Sequence, residues 1–301
     1  MQKSIADIWS RRYSENRFCN QRVNWTKSRA VLDHVTRLIA GEPCSSVQEA
    51  NIRLLRCICS HLPHELGLSV ACGKGHKEMA LLEAGIVTHF DCYELSEKAV
   101  AEGREEAKQR ELGERITFHL GDAFKAHLKP ESYDCIYWDN AMHHMLDAKV
   151  AMRWSKDLLA KEGCFFMYDF VGPTRFQWTD EQVRILKEIL GSLDDAYFLI
   201  PDSEYMWKKE PNCMSIEEMM RADPSEAADS DAILPAFREY FPAGTVIPLG
   251  GLVYVLGLDG VIVNIPDDSI ILKKMLNIDA MLSRQGHNYF AVAYCRRIET
   301  L

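Results

Sequence analysis

Nowhere in the 301 residues do about 18 apolar residues run uninterrupted, the length a helix needs to cross a bilayer, and no short apolar segment follows a basic start as in a secretory leader. The expectation is a cytoplasmic protein with no membrane contact. Positive charge is also short: 35 Lys and Arg face 44 Asp and Glu, a net charge of −9. Nucleic acid and anionic membranes both demand a basic face, so neither is expected as a partner and a small-molecule substrate is. Ten cysteines are present without a single CxxC pair; Cys57 and Cys59 make only a CxC, which suits neither a zinc ribbon nor a disulfide framework. They read as reduced thiols. Internal repeats and low-complexity tracts are absent.

What is present, with 47% hydrophobic residues, suffices to bury a substantial core in one large domain or two. The chain is organised around residues 66–100. An apolar run ends at Ala71, Cys72, Gly73, Lys74 and Gly75 form a turn, a helical pattern follows, and a second apolar run ends on Glu94. This is a β-turn-α-β unit. Gly73 and Gly75 lack a Cβ, so the turn can take positive φ and offer bare amides at a helix N-terminus. Glu94, about 20 residues past the turn, is where such a unit sets a carboxylate against a ribose diol. A nucleoside-containing cofactor is implied. A dinucleotide needs Gly or Ala where its pyrophosphate crosses the helix start, and that position is Glu78, whose charge opposes a diphosphate. An α/β turn without a ligand is the plainer alternative, weakened because the glycines and the acid occur together at cofactor spacing.

SVACGKG at the turn and YELSEKAV after the second strand resemble the first two motifs of class I S-adenosyl-L-methionine (SAM)-dependent methyltransferases. The resemblance implies SAM as cofactor, with Ser69, Ala71, Gly73, Gly75, Glu94 and Leu95 around its methionine and ribose. It also places Asp122 and Ala123, after a third strand, at the adenine, and Asn140 beside the cofactor after a fourth. Asp122 could equally cap the next turn, and the two readings are compatible. Ser69 stands where an acid is common and Ala71 where the first glycine is, which leaves the methionine ammonium to another partner and narrows the room beneath it.

Residues 133–138 form the fourth strand and deliver WDNAMHHM to the carboxyl edge of the sheet, where ligands bind in open α/β folds. The stretch resembles the family's fourth motif, with Met142 in place of Leu before His143 and His144. Consecutive histidines are expected to point apart, so at most one meets the substrate. A packing pair and a catalytic base both stay open, with Asp139 as the other candidate to remove a proton or orient the acceptor. No third ligand accompanies the pair at a recognisable spacing, so no metal is expected.

Beyond a fifth strand at 164–170, the stretch YDFVGPTRFQWTDEQ offers Arg175, Gln177 and Trp178, a forked cation, an amide and an aromatic face able to hold a polar ligand. The plainer alternative pairs Arg175 with an acid and packs Trp178 on the next helix. With DPSEA at 223–227 and PLGG at 248–251, the stretch resembles a bacterial methyltransferase subgroup with an NEYVGPSRFQW-like motif, associated with sugar and secondary-metabolite pathways. Here Asp169 stands for the Glu and Phe170 for the Tyr. Glu226 reads as a substrate carboxylate or a helix cap, and Trp25 as a flat lid over the site or a packing residue.

The expected fold is α/β, the Rossmann-like class I methyltransferase fold, with a mixed seven-stranded sheet in the order 3-2-1-4-5-7-6. An N-terminal helical cap spans 1–64, where Ile5, Ile8 and Trp9 form one apolar face and Val31, Leu32, Val35, Leu38 and Ile39 another. The cofactor core spans 65–172. A helical lid at 173–242 is interrupted by Pro201, Pro211 and Pro224, and 243–301 completes the sheet. Residues 252–263, apolar but containing Gly257 and Gly260, read as a helix at the lid or at a dimer surface; a homodimer is possible. The expected activity is methyl transfer from SAM to a small polar acceptor, O-methylation favoured, with N- and C-methylation open. The alternatives are a non-catalytic SAM- or S-adenosylhomocysteine (SAH)-binding module and a nicotinamide-dependent oxidoreductase, the latter opposed by Glu78.

Overall fold

Two helices come first in the computed structural model, which describes residues 25–296; Ile5, Ile8 and Trp9 lie outside them. Helix α1 (Arg29–Ala40) starts where the Ser28 hydroxyl accepts the Val31 N–H and stops at Gly41, whose φ of 78° ends the helix in the left-handed region. Helix α2 (Val47–Ile58) is capped by Ser46 in the same way. Both are amphipathic and bury one stripe, including Val31, Val35 and Ile39 in α1 and Leu54 and Leu55 in α2.

The chain then alternates through β1 (His64–Val70), α3 (His76–Glu83), β2 (Val87–Glu94), α4 (Glu97–Gln109), β3 (Ile116–Leu120), β4 (Tyr133–Asp139), α5 (Ala148–Leu158) and β5 (Leu159–Phe170). Three helices follow, α6 (Asp180–Gly191), α7 (Ile216–Ala222) and α8 (Ile233–Tyr240), before β6 (Thr245–Pro248), α9 (Ile270–Arg284) and β7 (Phe290–Arg296). The strands form one sheet in the order β3-β2-β1-β4-β5-β7-β6, as expected. Pairing is parallel from β3 to β5, and β7 runs antiparallel to both β5 and β6. Continuous apolar runs suit β4 and β5 to this central place, because helices cover both faces of a parallel sheet. One face carries Phe90, Tyr137 and Phe166 against α1, α2 and α9; the other carries Trp138 and Phe165 against α5 and α8.

Several local details depart from the sequence reading. Helix α8 lies on the sheet, burying Ile233, Ala236 and Phe237 beside α5, so it belongs to the core and not to a lid. Strand β5 begins at Leu159, directly after α5. The 252–263 stretch is no surface helix: a π-helical turn (Leu252–Gly257) and a short 3-10 turn (Val261–Asn264) bury Leu252, Val253, Tyr254, Leu258 and Val261. The buried carboxylate of Asp279 on α9 accepts the Gly251 and Val253 N–H groups that open this turn. No helix among the described residues is long and apolar enough to cross a membrane.

Close packing in the sheet centre makes Gly67 of β1 a sensitive position, because a Cβ there would overlap the ring of the fully buried Phe90. Gly67→Ala is expected to cost about 1–3 kcal/mol of stability through overpacking, measured by urea denaturation. An unchanged midpoint would mean that the ring has room to move.

Candidate active site

The loop after β1 sets up one side of the site. Ala71 takes φ 54°, the conformation a glycine would supply, followed by Gly73 at φ 59° and Gly75 at φ 71°. At Gly75 a side chain has no space, since a Cβ would lie 2.6 Å from the Phe118 ring. Glu94, at the end of β2, closes the turn from below. Its Oε2 accepts the Gly73 N–H at 2.9 Å, and Oε1 accepts those of Leu95 and Ser96 at 2.8 Å each. Asp122 caps the 3-10 turn after β3 by accepting the Phe124 N–H, with Ala123 buried beside it.

Under the turn, Ser69 Oγ donates to Glu78 Oε1 at 2.6 Å. An acid from α3 thus stands beside Ser69, and both residues line the cleft along the sheet edge. Burial raises the Glu78 carboxyl to about 7, against opposing help from Ser69. Next to it, Lys77 Nζ donates to Asp139 Oδ1 at 2.5 Å and to its carbonyl at 2.8 Å. The Tyr137 hydroxyl and the Asn140 amide also donate to the Asp139 carboxylate. Asp139 thus holds α3 against the end of β4, and with both oxygens engaged it is poorly placed to take a proton from an acceptor.

The other side is built where β4 and β5 end together. Asp169 has no exposed surface, and its carboxylate accepts the N–H groups of Ala141 at 2.9 Å, Met142 at 2.7 Å and Phe170 at 2.8 Å. His143 Nδ1 lies 2.5 Å from Asp169 Oδ1, and its Nε2 lies 3.4 Å from Glu226 Oε1. Burial alone would lower the His143 pKa, but the two carboxylates outweigh it and raise it to about 10. With Nδ1 held by Asp169, Nε2 is the ring nitrogen left facing Glu226. Burial and the neighbouring His143 charge hold His144 down, to about 4. The two rings do not point apart as expected; their centroids are 4.0 Å apart.

A single cleft of about 1590 Å³ joins the two sides along the carboxyl edge of the sheet. Ser69, Ala71, Gly73, Glu94, Leu95, Asp122, Ala123, Asp139 and Asn140 line it at one end, and His143, His144, Glu226, Trp25 and Trp178 at the other. Gly75, Arg175 and Gln177 do not line it. Arg175 takes φ 56° and turns its guanidinium to the Glu226 carbonyl at 3.0 Å, while the Gln177 amide donates to the carbonyls of Arg175 and Met214. These bonds tie together the loops that carry Arg175, Met214 and Glu226. Trp25, buried, packs edge-on against Tyr254 at 5.4 Å. The aromatic wall is extended by Phe170 and Phe176, which meet at 4.8 Å, and Phe176 stacks on Trp178 at 5.7 Å. Sequence reasoning passed over Lys77, Phe170 and Phe176, which line the cleft, and Asp169, which holds His143. The visible signals were an acid inside an apolar strand, CFFMYDF, and an aromatic between Arg175 and Gln177.

Comparison with known proteins matches a methyltransferase-domain family to residues 66–219, from β1 into α7. The 27-O-demethylrifamycin SV methyltransferase of Amycolatopsis mediterranei (strain S699) is 26% identical over 148 residues, 46% of this chain and 53% of the relative. The chain thus spans about half the length of the curated relative it matches. A geranyl diphosphate methyltransferase in complex with SAM superposes with a TM-score of 0.53 at 10% identity, covering 88% of this chain and 90% of that one. Geranyl diphosphate C-methyltransferase from Streptomyces coelicolor A3(2), solved with SAH, gives 0.52 at 9% identity, covering 83% and 76%. At such identities the likeness is one of fold.

The buried Glu78 makes stability depend on pH in a definite direction. Its folded pKa, about 7, lies above the 4.5 of an exposed glutamate. The stabilisation is therefore fully present below pH 4.5 and lost as pH rises through 7. Glu78→Gln keeps an acceptor for Ser69 and removes the charge, so at pH 8 it is expected to be more stable than wild type, by up to about 3 kcal/mol. That advantage should shrink steadily below pH 7 and vanish below pH 4.5. Melting curves of both proteins across this range check it, and a variant that is less stable at every pH would contradict it.

Proposed function

We propose, for a chain that belongs to the methyltransferase-domain family and is an S-adenosyl-L-methionine-dependent methyltransferase, that the methyl group goes to a hydroxyl of a small molecule with an apolar body. The observation that carries this reading is the single cleft, with a glycine turn and its carboxylate at one end and a buried His-Asp-Glu centre in an aromatic wall at the other. Glu94 has about four acceptor positions, three of them taken by backbone N–H groups, and the remaining one is offered to the ribose. The adenine lies toward Asp122 and Ala123. The methionine portion lies over Ala71 with the Ser69–Glu78 pair beneath it and Asn140 alongside, which directs the sulfonium toward His143.

On the acceptor side, Trp25, Phe170, Phe176 and Trp178 suit a flat or apolar body, while His143, His144 and Glu226 suit the oxygen to be methylated. The relative from Amycolatopsis is named for a 27-O-demethyl substrate, which favours oxygen and a secondary metabolite. Residues 173–232 serve as the lid over this acceptor chamber, the N-terminal cap closes it from the Trp25 side, and the core lies between. The sulfonium supplies the driving force, so the protein's task is to align oxygen, methyl carbon and sulfur and to exclude water.

Calorimetric titration is expected to show SAH binding and no NAD binding. Glu94→Ala should weaken SAH by about tenfold to a hundredfold, the loss of a charged acceptor. Transfer from SAM labelled with ¹³C in the methyl group to hydroxylated aromatic acceptors should give a methoxy resonance. Tight NAD binding without SAH binding would end the reading, and an N-methyl or C-methyl product would move the acceptor atom.

A further inference from the structure

One ring nitrogen each from His143 and His144 and a carboxylate oxygen from Glu226 lie within 4.8 Å of one another on the acceptor side of the cleft. His143 Nε2 and Glu226 Oε1 are 3.4 Å apart. Two ligands that each sit about 2.0–2.2 Å from a common metal ion are separated by about this distance. Behind the candidate ligands stands a second set of groups. His143 Nδ1 is fixed by the fully buried Asp169, and His144 Nδ1 lies 3.3 Å from Ser225 Oγ, which donates to Asp223. Metal-bound imidazoles are oriented in this manner, their second nitrogen held by a carboxylate or hydroxyl.

The backbone ties the two segments together. Ala228 N donates to the His143 carbonyl at 3.0 Å, and Arg175 holds the Glu226 carbonyl at 3.0 Å.

We propose that His143, His144 and Glu226 bind one first-row divalent transition-metal ion. Two imidazoles and one carboxylate favour Mn²⁺ through Zn²⁺ over Mg²⁺ or Ca²⁺, which prefer oxygen throughout. Three protein ligands leave coordination positions open toward the cleft. The ion's use, unlike its binding, rests on the O-methylation reading. The acceptor hydroxyl coordinates the ion and releases its proton to solvent. An oxygen lone pair then forms the bond to the methyl carbon as the carbon–sulfur pair returns to sulfur, leaving a methyl ether and SAH. No oxidant or reductant takes part.

Full-length protein treated with chelator and then titrated with MnCl₂, followed by calorimetry and by loss of the free Mn²⁺ EPR signal, tests the site. One ion per chain is expected. Glu226→Gln and His144→Gln, both at partly exposed positions, should each weaken Mn²⁺ about tenfold or more while SAH affinity and melting temperature stay near wild type. Cys59→Ser is the control, because Cys59, His64 and Cys164 form another group of convergent ligands. It should leave Mn²⁺ binding unchanged. No stoichiometric binding, or binding that neither Glu226→Gln nor His144→Gln weakens, overturns the proposal. If SAH still binds in that case, the methyltransferase reading stands without the metal.

Discussion

A carboxylate without exposed surface sits at the end of β5, and the acceptor side of the cleft depends on it. Burying Asp169 as an ion costs several kcal/mol unless every oxygen finds donors, and here the donors are the Ala141 and Met142 N–H groups, the Phe170 N–H and the His143 ring. Residues 141–143, just after β4, meet that demand by wrapping around the end of β5. His143 is thereby fixed at the sheet edge, and its carbonyl accepts the Ala228 N–H that draws the Glu226 segment into place. Arg175, through the Glu226 carbonyl, closes the same circuit from the loop after β5.

The cofactor side has its own buried acids, each resolved differently. Glu94 is satisfied by backbone donors of the turn it supports, so the turn and its carboxylate form one unit. Glu78 is satisfied by Ser69 on one oxygen only, and burial holds it near neutrality. Lys77, one residue before it, crosses to Asp139 and so connects the glycine-turn helix to the strand that carries the acceptor centre. This ion pair and the parallel pairing of β1 with β4 hold the two ends of the cleft in register.

Much of the fold was legible because its signals are local. Apolar periodicity marked α1, and apolar runs marked β4 and β5. The glycine turn and Glu94 were legible for the same reason, even with Ala71 taking the positive φ of the glycine it replaces. Interactions distant in sequence were not. The partners of His144 and His143 at Ser225 and Glu226 lie about eighty positions onward, so no motif spacing announces them. The 252–263 stretch takes its cap from Asp279 on another helix, which left its form undecidable from periodicity. Arg175 carries every chemical mark of a ligand-binding residue, yet a positive φ turns it toward the backbone, and residue type alone does not reveal that.

The central claim is that one cleft presents a cofactor's sulfur to the centre built on Asp169. A crystal structure with SAH bound tests it most directly. The account predicts the ribose against Glu94, the adenine beside Asp122, and the sulfur facing His143 and Glu226 across the aromatic wall. A ribose placed away from Glu94, or a sulfur turned away from that centre, would contradict it.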